Sequence, residues 1–221
     1  MVSVKIVQQL ITALTLLLAY FLVISPVGYF RAWVSRRMGD TTGEDLGFLT
    51  LNPIPHIDFV GILVLFFFGV GWGKHIPINP MNITYPYRWP KLLAAYFSDT
   101  FAHMVLATLA LLIFITIVGP QSLGLYATAQ ISSLSISLAR IIIAFINLNI
   151  FLAAISLVIN AVMLIGLVIA ERNVQFPPYF FYFIILAPIV VLLLFGESIR
   201  YLMLAIISTI GNWIAHLLGA Q

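Results

Sequence analysis

The chain has 221 residues, of which 62% are hydrophobic and only 8% charged. Its mean hydropathy is +1.13. Globular proteins carry about 25% charged residues, so a water-soluble domain is excluded and a polytopic membrane protein is indicated. The formal charge of +3 reports loop lysines and arginines and points to no nucleic acid. With no cysteine in the chain, disulfides, thiolate metal sites and cysteine nucleophiles are ruled out.

Apolar runs long enough for a hydrocarbon core of about 30 Å recur along the chain. The first predicted helix covers about 6–38. It reads as an uncleaved span, because Ser25-Pro26-Val27-Gly28 is not a small-x-small cleavage site, and Pro26 predicts a kink. Arg31, Arg36 and Arg37 lie toward its end, before Gly39-Asp40. Residues 39–57 are the most polar stretch, and Phe48–Leu51 reads as a short extended piece closed by Asn52-Pro53. Residues 58–73 are apolar but short for a full crossing, which allows a re-entrant segment. Residues 74–90 are rich in proline, tyrosine and asparagine and read as an interfacial loop.

A further helix is predicted over about 91–118, followed by a loop over 119–133. The run 134–170 is too long for one straight span. It predicts an interfacial piece up to Arg140 and a helix from 141. Two more helices are expected near 178–196 and 200–219. The fold class is therefore all-α and polytopic, with five or six transmembrane helices and a short extended or re-entrant segment before the 91–118 helix. All of it is read as one integral membrane domain, 1–221. Basic residues fall on both sides, so the positive-inside rule fixes no orientation.

Three stretches, RAWVSRRMGD ending at Asp40, LTLNPIPHID from Leu49 and GWGKHIPINPMNI from Gly71, resemble the site-2 protease (peptidase M50) family of intramembrane zinc peptidases. The resemblance implies a core over 1–170 and additional C-terminal helices over 171–221. It places the family's His-Glu-x-x-His motif on Val27, Gly28, Tyr29, Phe30 and Arg31. Neither ligand is present there, the general base is replaced by glycine, and Arg31 would repel a divalent cation. The helix around Asn160, the counterpart of the third-ligand region, has no aspartate. His56 and Asp58 belong by resemblance to a structural turn. The inter-helix region receives a substrate's membrane segment in the family, partly by strand addition.

The resemblance thus implies a degenerate member with no catalytic residue, no metal and no cofactor, not an enzyme. It implies an accessory subunit that binds transmembrane segments of other integral membrane proteins in a larger hetero-oligomeric complex. Lipid surrounds it, and the bacterial cytoplasmic membrane is the expected location. Leu49, Leu51, Asn52, Asn149, Ser156 and Asn160 are the candidate partner-binding residues. Two alternatives stay open: an intramembrane zinc metallopeptidase with non-standard ligands, and a small transporter or ion-path subunit using Asp99 and His103.

Asp99 and His103 lie four apart on an apolar helix and share a face. Ionisable groups in a span turn to the protein interior, so they are expected to form a buried polar pair. A relocated metal site with His56 is the sharper alternative. Asn149, Ala153, Ser156 and Asn160 follow 4-3-4 spacing, a small polar stripe suited to close helix approach, inside the chain or against a partner. Glu197 and Arg200 read as an ion pair at a helix start. The aromatic run 177–183 and His216 read as interfacial.

Overall fold

The computed structural model describes residues 2–69, 71–118 and 134–171, with six further positions at 194, 198, 201, 205, 209 and 213. The described elements are α1 (Val2–Met38), α2 (Thr42–Asp45), a 3-10 turn (Ile54–His56), α3 (Phe59–Phe68), α4 (Arg88–Val118) and α5 (Leu134–Glu171). Three helices are long and apolar enough to cross a membrane, over Ile6–Met38, Arg88–Thr116 and Ile141–Glu171. The protein is an all-α polytopic membrane protein, with no strand among the described residues. Three of the five or six expected spans are described. The loop 119–133, Glu197 and Arg200, the aromatic run 177–183 and His216 lie outside the described residues. So do 178–196 and 200–219 apart from the six single positions, each of which is helical.

The three long helices pack on one another. Arg88 pairs with Glu171, Asn160 bonds Asp99 and His103 bonds Asn149, so α4 and α5 run antiparallel. Alanines at the contact (Ala107, Ala110, Ala139, Ala154) alternate with Leu111, Phe114, Ile146 and Ile150. Small residues let membrane helices approach closely. A second cluster joins Tyr20, Val23, Ile24 and Val27 of α1 to Leu65 of α3 and to Leu148 and Leu152 of α5. The helix over 134–171 is continuous, so the expected break at Arg140 is not present. Nothing in the sequence there forbids helix: Leu138-Ala139-Arg140-Ile141 has no proline or glycine.

The short extended piece expected over Phe48–Leu51 is a series of bends instead. Local bonding explains this. Asn52 N–H donates to Thr50 Oγ1 and Ile54 N–H to Asn52 Oδ1, at 3.1 Å each, and such side-chain turns compete with strand formation. The segment 58–73 is the expected doubling-back. Asp58 caps α3 by accepting from Gly61 N–H at 2.7 Å, a standard use of aspartate at a helix start. Gly69, in the left-handed region at φ 74°, ends the helix after ten residues. The chain then returns along α3 and runs beside α1. Tyr20 Oη donates to the Trp72 carbonyl at 3.0 Å, and Ile57 and Gly73 form an isolated antiparallel bridge. Ile76 reaches Ala32 and Phe48, and Asn82 reaches Asp40.

Asp40 fixes the far end of this return. It is fully buried, and its carboxylate accepts from Thr42 Oγ1 at 2.6 Å, Asn79 N–H at 2.9 Å and Asn82 Nδ2 at 2.9 Å. Several donors to one carboxylate offset the cost of burying its charge.

Candidate functional site

Arg31 lies in the last third of α1 and is buried, at 2% exposure. A guanidinium in a membrane helix is costly unless it finds partners within the protein. Here Nη1 sits 2.6 Å from Asp99 Oδ2, 3.1 Å from the Tyr96 carbonyl and 3.2 Å from Asn160 Oδ1. Nε donates to the Ile76 carbonyl at 3.1 Å, and Nη2 faces His75 Nε2 at 3.4 Å. Asp99 also accepts from Asn160 Nδ2 at 2.8 Å and Thr100 N–H at 2.7 Å. One side chain thus joins α1, α4, α5 and the returning segment. The planar fork of arginine, with five donors, permits this multiple engagement.

Arginine cannot accept, so His75 Nε2 presents its lone pair to Arg31 and the imidazole is the neutral tautomer with the proton on Nδ1. His75 lies outside the three spanning helices, and its outer surface is exposed. Desolvation of the ring's inner side, and secondarily the Arg31 charge, hold its pKa down to about 4, against the pull of Asp99. Below pH about 6.5 the unfolded chain takes up a proton that the folded chain refuses. Stability is therefore fully present above 6.5 and falls as pH drops toward 4. His75→Gln is expected to flatten that part of a stability-against-pH curve measured in detergent micelles; an unchanged slope would show that His75 is not the group responsible.

The returning segment has an open edge. It is tethered where Lys74 N–H donates to the His56 carbonyl at 2.8 Å and where Asn79 N–H donates to Asp40 Oδ2 at 2.9 Å. Between these points the His75 and Ile78 N–H groups and the Lys74, His75 and Ile78 carbonyls find no hydrogen-bond partner among the described residues. Lys74, His75 and Pro77 are exposed, while Ile76 is buried. Irregular backbone beside a membrane span needs protein or water to satisfy it.

His56 is buried behind this segment, at 1% exposure. Its Nε2 donates to the Thr50 carbonyl at 2.9 Å, and Nδ1 is without a partner. Burial lowers its pKa, with the Thr50 carbonyl opposing. The ring lies on Gly28: a Cβ there would stand 2.6 Å from Cε1 and closer still to Nδ1. Gly28→Ala is expected to destabilise the protein by about 1–3 kcal/mol through overpacking. Adding His56→Ala should recover part of the loss in thermal melts, since the opposing ring is then gone.

Of the positions aligned to the zinc motif, Val27 packs in the α1 core, Gly28 faces His56 and Arg31 forms the junction. Asp99 and His103 are both buried but make their hydrogen bonds elsewhere. Asp99 bonds Arg31 and Asn160, whereas His103 Nδ1 bonds Asn149 Oδ1 at 2.9 Å. The expected mutual pair is corrected, since the two residues do not bond each other: Asp99 joins a group of three with Arg31 and Asn160, and His103 pairs with Asn149. Asn149, Ser156 and Asn160, read as partner-binding candidates, all face α4. Ser156 bonds Thr100 at 2.7 Å, so the polar groups of the stripe are engaged inside the chain. Leu49 packs on the Ala32–Phe48–Ile76 cluster; Leu51 and Asn52 are exposed. The residues that sequence reasoning missed are His75, Tyr96 and Ile76. The last two contribute only backbone carbonyls, which no side-chain pattern can reveal.

Among the described residues no three of His, Cys, Asp and Glu converge to hold a metal ion. Catalytic zinc needs three protein ligands and an open position, and the buried Asp99 carboxylate is already taken by the Arg31 cation. The residues described do not fit a zinc site.

In comparisons with known proteins, no family model matches and no solved structure matches. A curated relative, the putative zinc metalloprotease YwhC of Bacillus subtilis (strain 168), is 44% identical over 48 residues, which is 22% of this chain and 22% of the relative. The chain is thus similar to a named metalloprotease over about a fifth of each length. The expectation that the chain is not an enzyme is corrected by this match, because the relative is named for peptidase chemistry.

Proposed function

We propose that this chain is a membrane-embedded, site-2-protease-like protein that receives an extended segment of a partner membrane protein along residues 73–78. It then acts within a larger membrane complex, in the cytoplasmic membrane of a bacterium. The observation that carries this reading is the open backbone edge between Lys74 and Ile78. Main-chain pairing with an added strand satisfies such an edge, with affinity from the backbone and selectivity from alternate side chains. Exposed Leu51 and Ile54, at 63% and 70%, are apolar surface in the same region of the chain.

A second reading is hydrolysis of a peptide bond. The 44% identity to YwhC over 48 residues favours it, and the donor set among the described residues opposes it. Both readings bring a polypeptide to the protein.

A photo-crosslinking residue at Pro77, in the full chain in native membranes, tests the first reading. One at Ile165, exposed on α5, gives the background. Capture at position 77 of one membrane protein, through peptides confined to one segment, is the expected result. Equal capture at 165 sinks the reading. Recovery of the captured segment in cut form moves the case to hydrolysis.

A further inference from the structure

Between its tethers at Lys74 and Asn79, the returning segment has only one polar hold among the described residues: the Arg31 fork on the Ile76 carbonyl and the His75 ring. The other holds are apolar: the Ile76 side chain packs on Ala32 and Phe48, and Ile78 packs against the Ile83, Leu92, Ala95 and Tyr96 cluster. Arg31 is itself anchored from behind, by Asp99 and the Tyr96 carbonyl on α4 and by Asn160 on α5. The anchors are strong in kind. An ion pair at 2.6 Å with both side chains largely buried is a charge-assisted bond, and Asn160 bonds both of its members.

We propose that Arg31 is the positioning residue of this edge: it holds residues 75–78 in place through the Ile76 carbonyl and the His75 ring, and takes its own orientation from Asp99 and Asn160. The proposal rests on the docking reading above, and it names the residue on which that docking depends. Two bonds forward and three back make Arg31 the link through which helix packing sets the pose of the edge. Lysine cannot replace it. An ammonium keeps the charge opposite Asp99 but lacks the rigid fork that reaches Ile76 and His75 at the same time.

The test uses the absence of cysteine from the natural chain. A single cysteine at Pro77 carries a spin label in the full-length protein in bilayers, and a second protein carries the label at Leu157 of α5. The label at 77 is expected to be ordered in the parent and several-fold more mobile in Arg31→Lys, while the label at 157 is unchanged. A label at 77 that stays ordered in Arg31→Lys overturns the proposal. If Arg31→Lys also loosens position 157, the neutral pair Arg31→Gln/Asp99→Asn decides. Mobility confined to 77 there supports the proposal. Order at 77, or loosening at both positions again, overturns it, because Arg31 would then hold the bundle rather than the edge.

Partner capture at Pro77 is expected to fall at least tenfold in Arg31→Lys. The spin-label readout needs no partner. Loss of ordering at 77 without any partner capture in the parent protein would therefore sink the docking reading and leave the positioning role standing.

Discussion

Replacing Arg31 with methionine is expected to destabilise the protein by about 3–5 kcal/mol, the range for removing one member of a buried ion pair. The loss comes less from the missing bonds than from what they leave behind. Asp99 keeps only its neutral donors, Asn160 Nδ2 and Thr100 N–H, while its charge stays buried. Two carbonyls, of Ile76 and Tyr96, lose a donor as well. The double variant Arg31→Met/Asp99→Asn should recover more than half of the loss, because asparagine fills the same space without charge. Denaturation in mixed micelles, as a double-mutant cycle, measures this. Equal loss in the single and double variants would show that packing, not the unpaired carboxylate, is the cause.

The second large effect is expected at Gly61. A Cβ there would stand 3.0 Å from the Trp72 carbonyl carbon and closer still to its oxygen. Both atoms are backbone, so no side-chain rotation relieves the overlap, in contrast to Gly28 and the His56 ring. Gly71 leans on the Gly61 carbonyl from the other side, so the two glycines set the closest approach of the outgoing helix and the return. Gly61→Ala should cost at least the roughly 1–3 kcal/mol typical of overpacking and separate the return from α3. Gly69→Ala is the comparison. Its neighbourhood is empty within 4 Å, and only the left-handed φ is penalised, at about 1–2 kcal/mol. Similar melting points for the two variants would show that the close approach of the two backbones is not what makes Gly61 necessary.

The class of fold is legible in the sequence because membrane hydropathy acts over some 20 residues and averages out local detail. The helices expected over 6–38 and 91–118 fall within a few residues of Val2–Met38 and Arg88–Val118. The break expected at Arg140 is missing because length alone suggests it, and long helices extend past a bilayer without a breaker. The strand expected over 48–51 is missing because a hydroxyl and an amide side chain bend the backbone there. The junction is half legible. An arginine in one apolar helix and an aspartate in another each demand a partner, but the i, i+4 spacing on one helix points Asp99 to His103, whereas the structure sets it on Arg31. What no pattern gives is the third side, since Asn160 belongs to a stripe whose spacing suits any helix contact. The open edge at 74–78 is hidden for a different reason: it is a property of backbone groups that lack a mate, and sequence patterns report side chains.

During synthesis Arg31 enters the bilayer long before the residues that satisfy it exist. Tyr96 and Asp99 follow by 65 and 68 residues, and Asn160 by 129. Until α4 supplies the carboxylate, a guanidinium at this place has only its own length to reach the headgroups, as long cationic side chains do near helix ends. A nascent chain halted between α4 and α5 has charge balance but lacks the amide that closes the third side. The order of the chain thus sets the order in which this cation can be satisfied: charge first, from Asp99, and the Asn160 amide last.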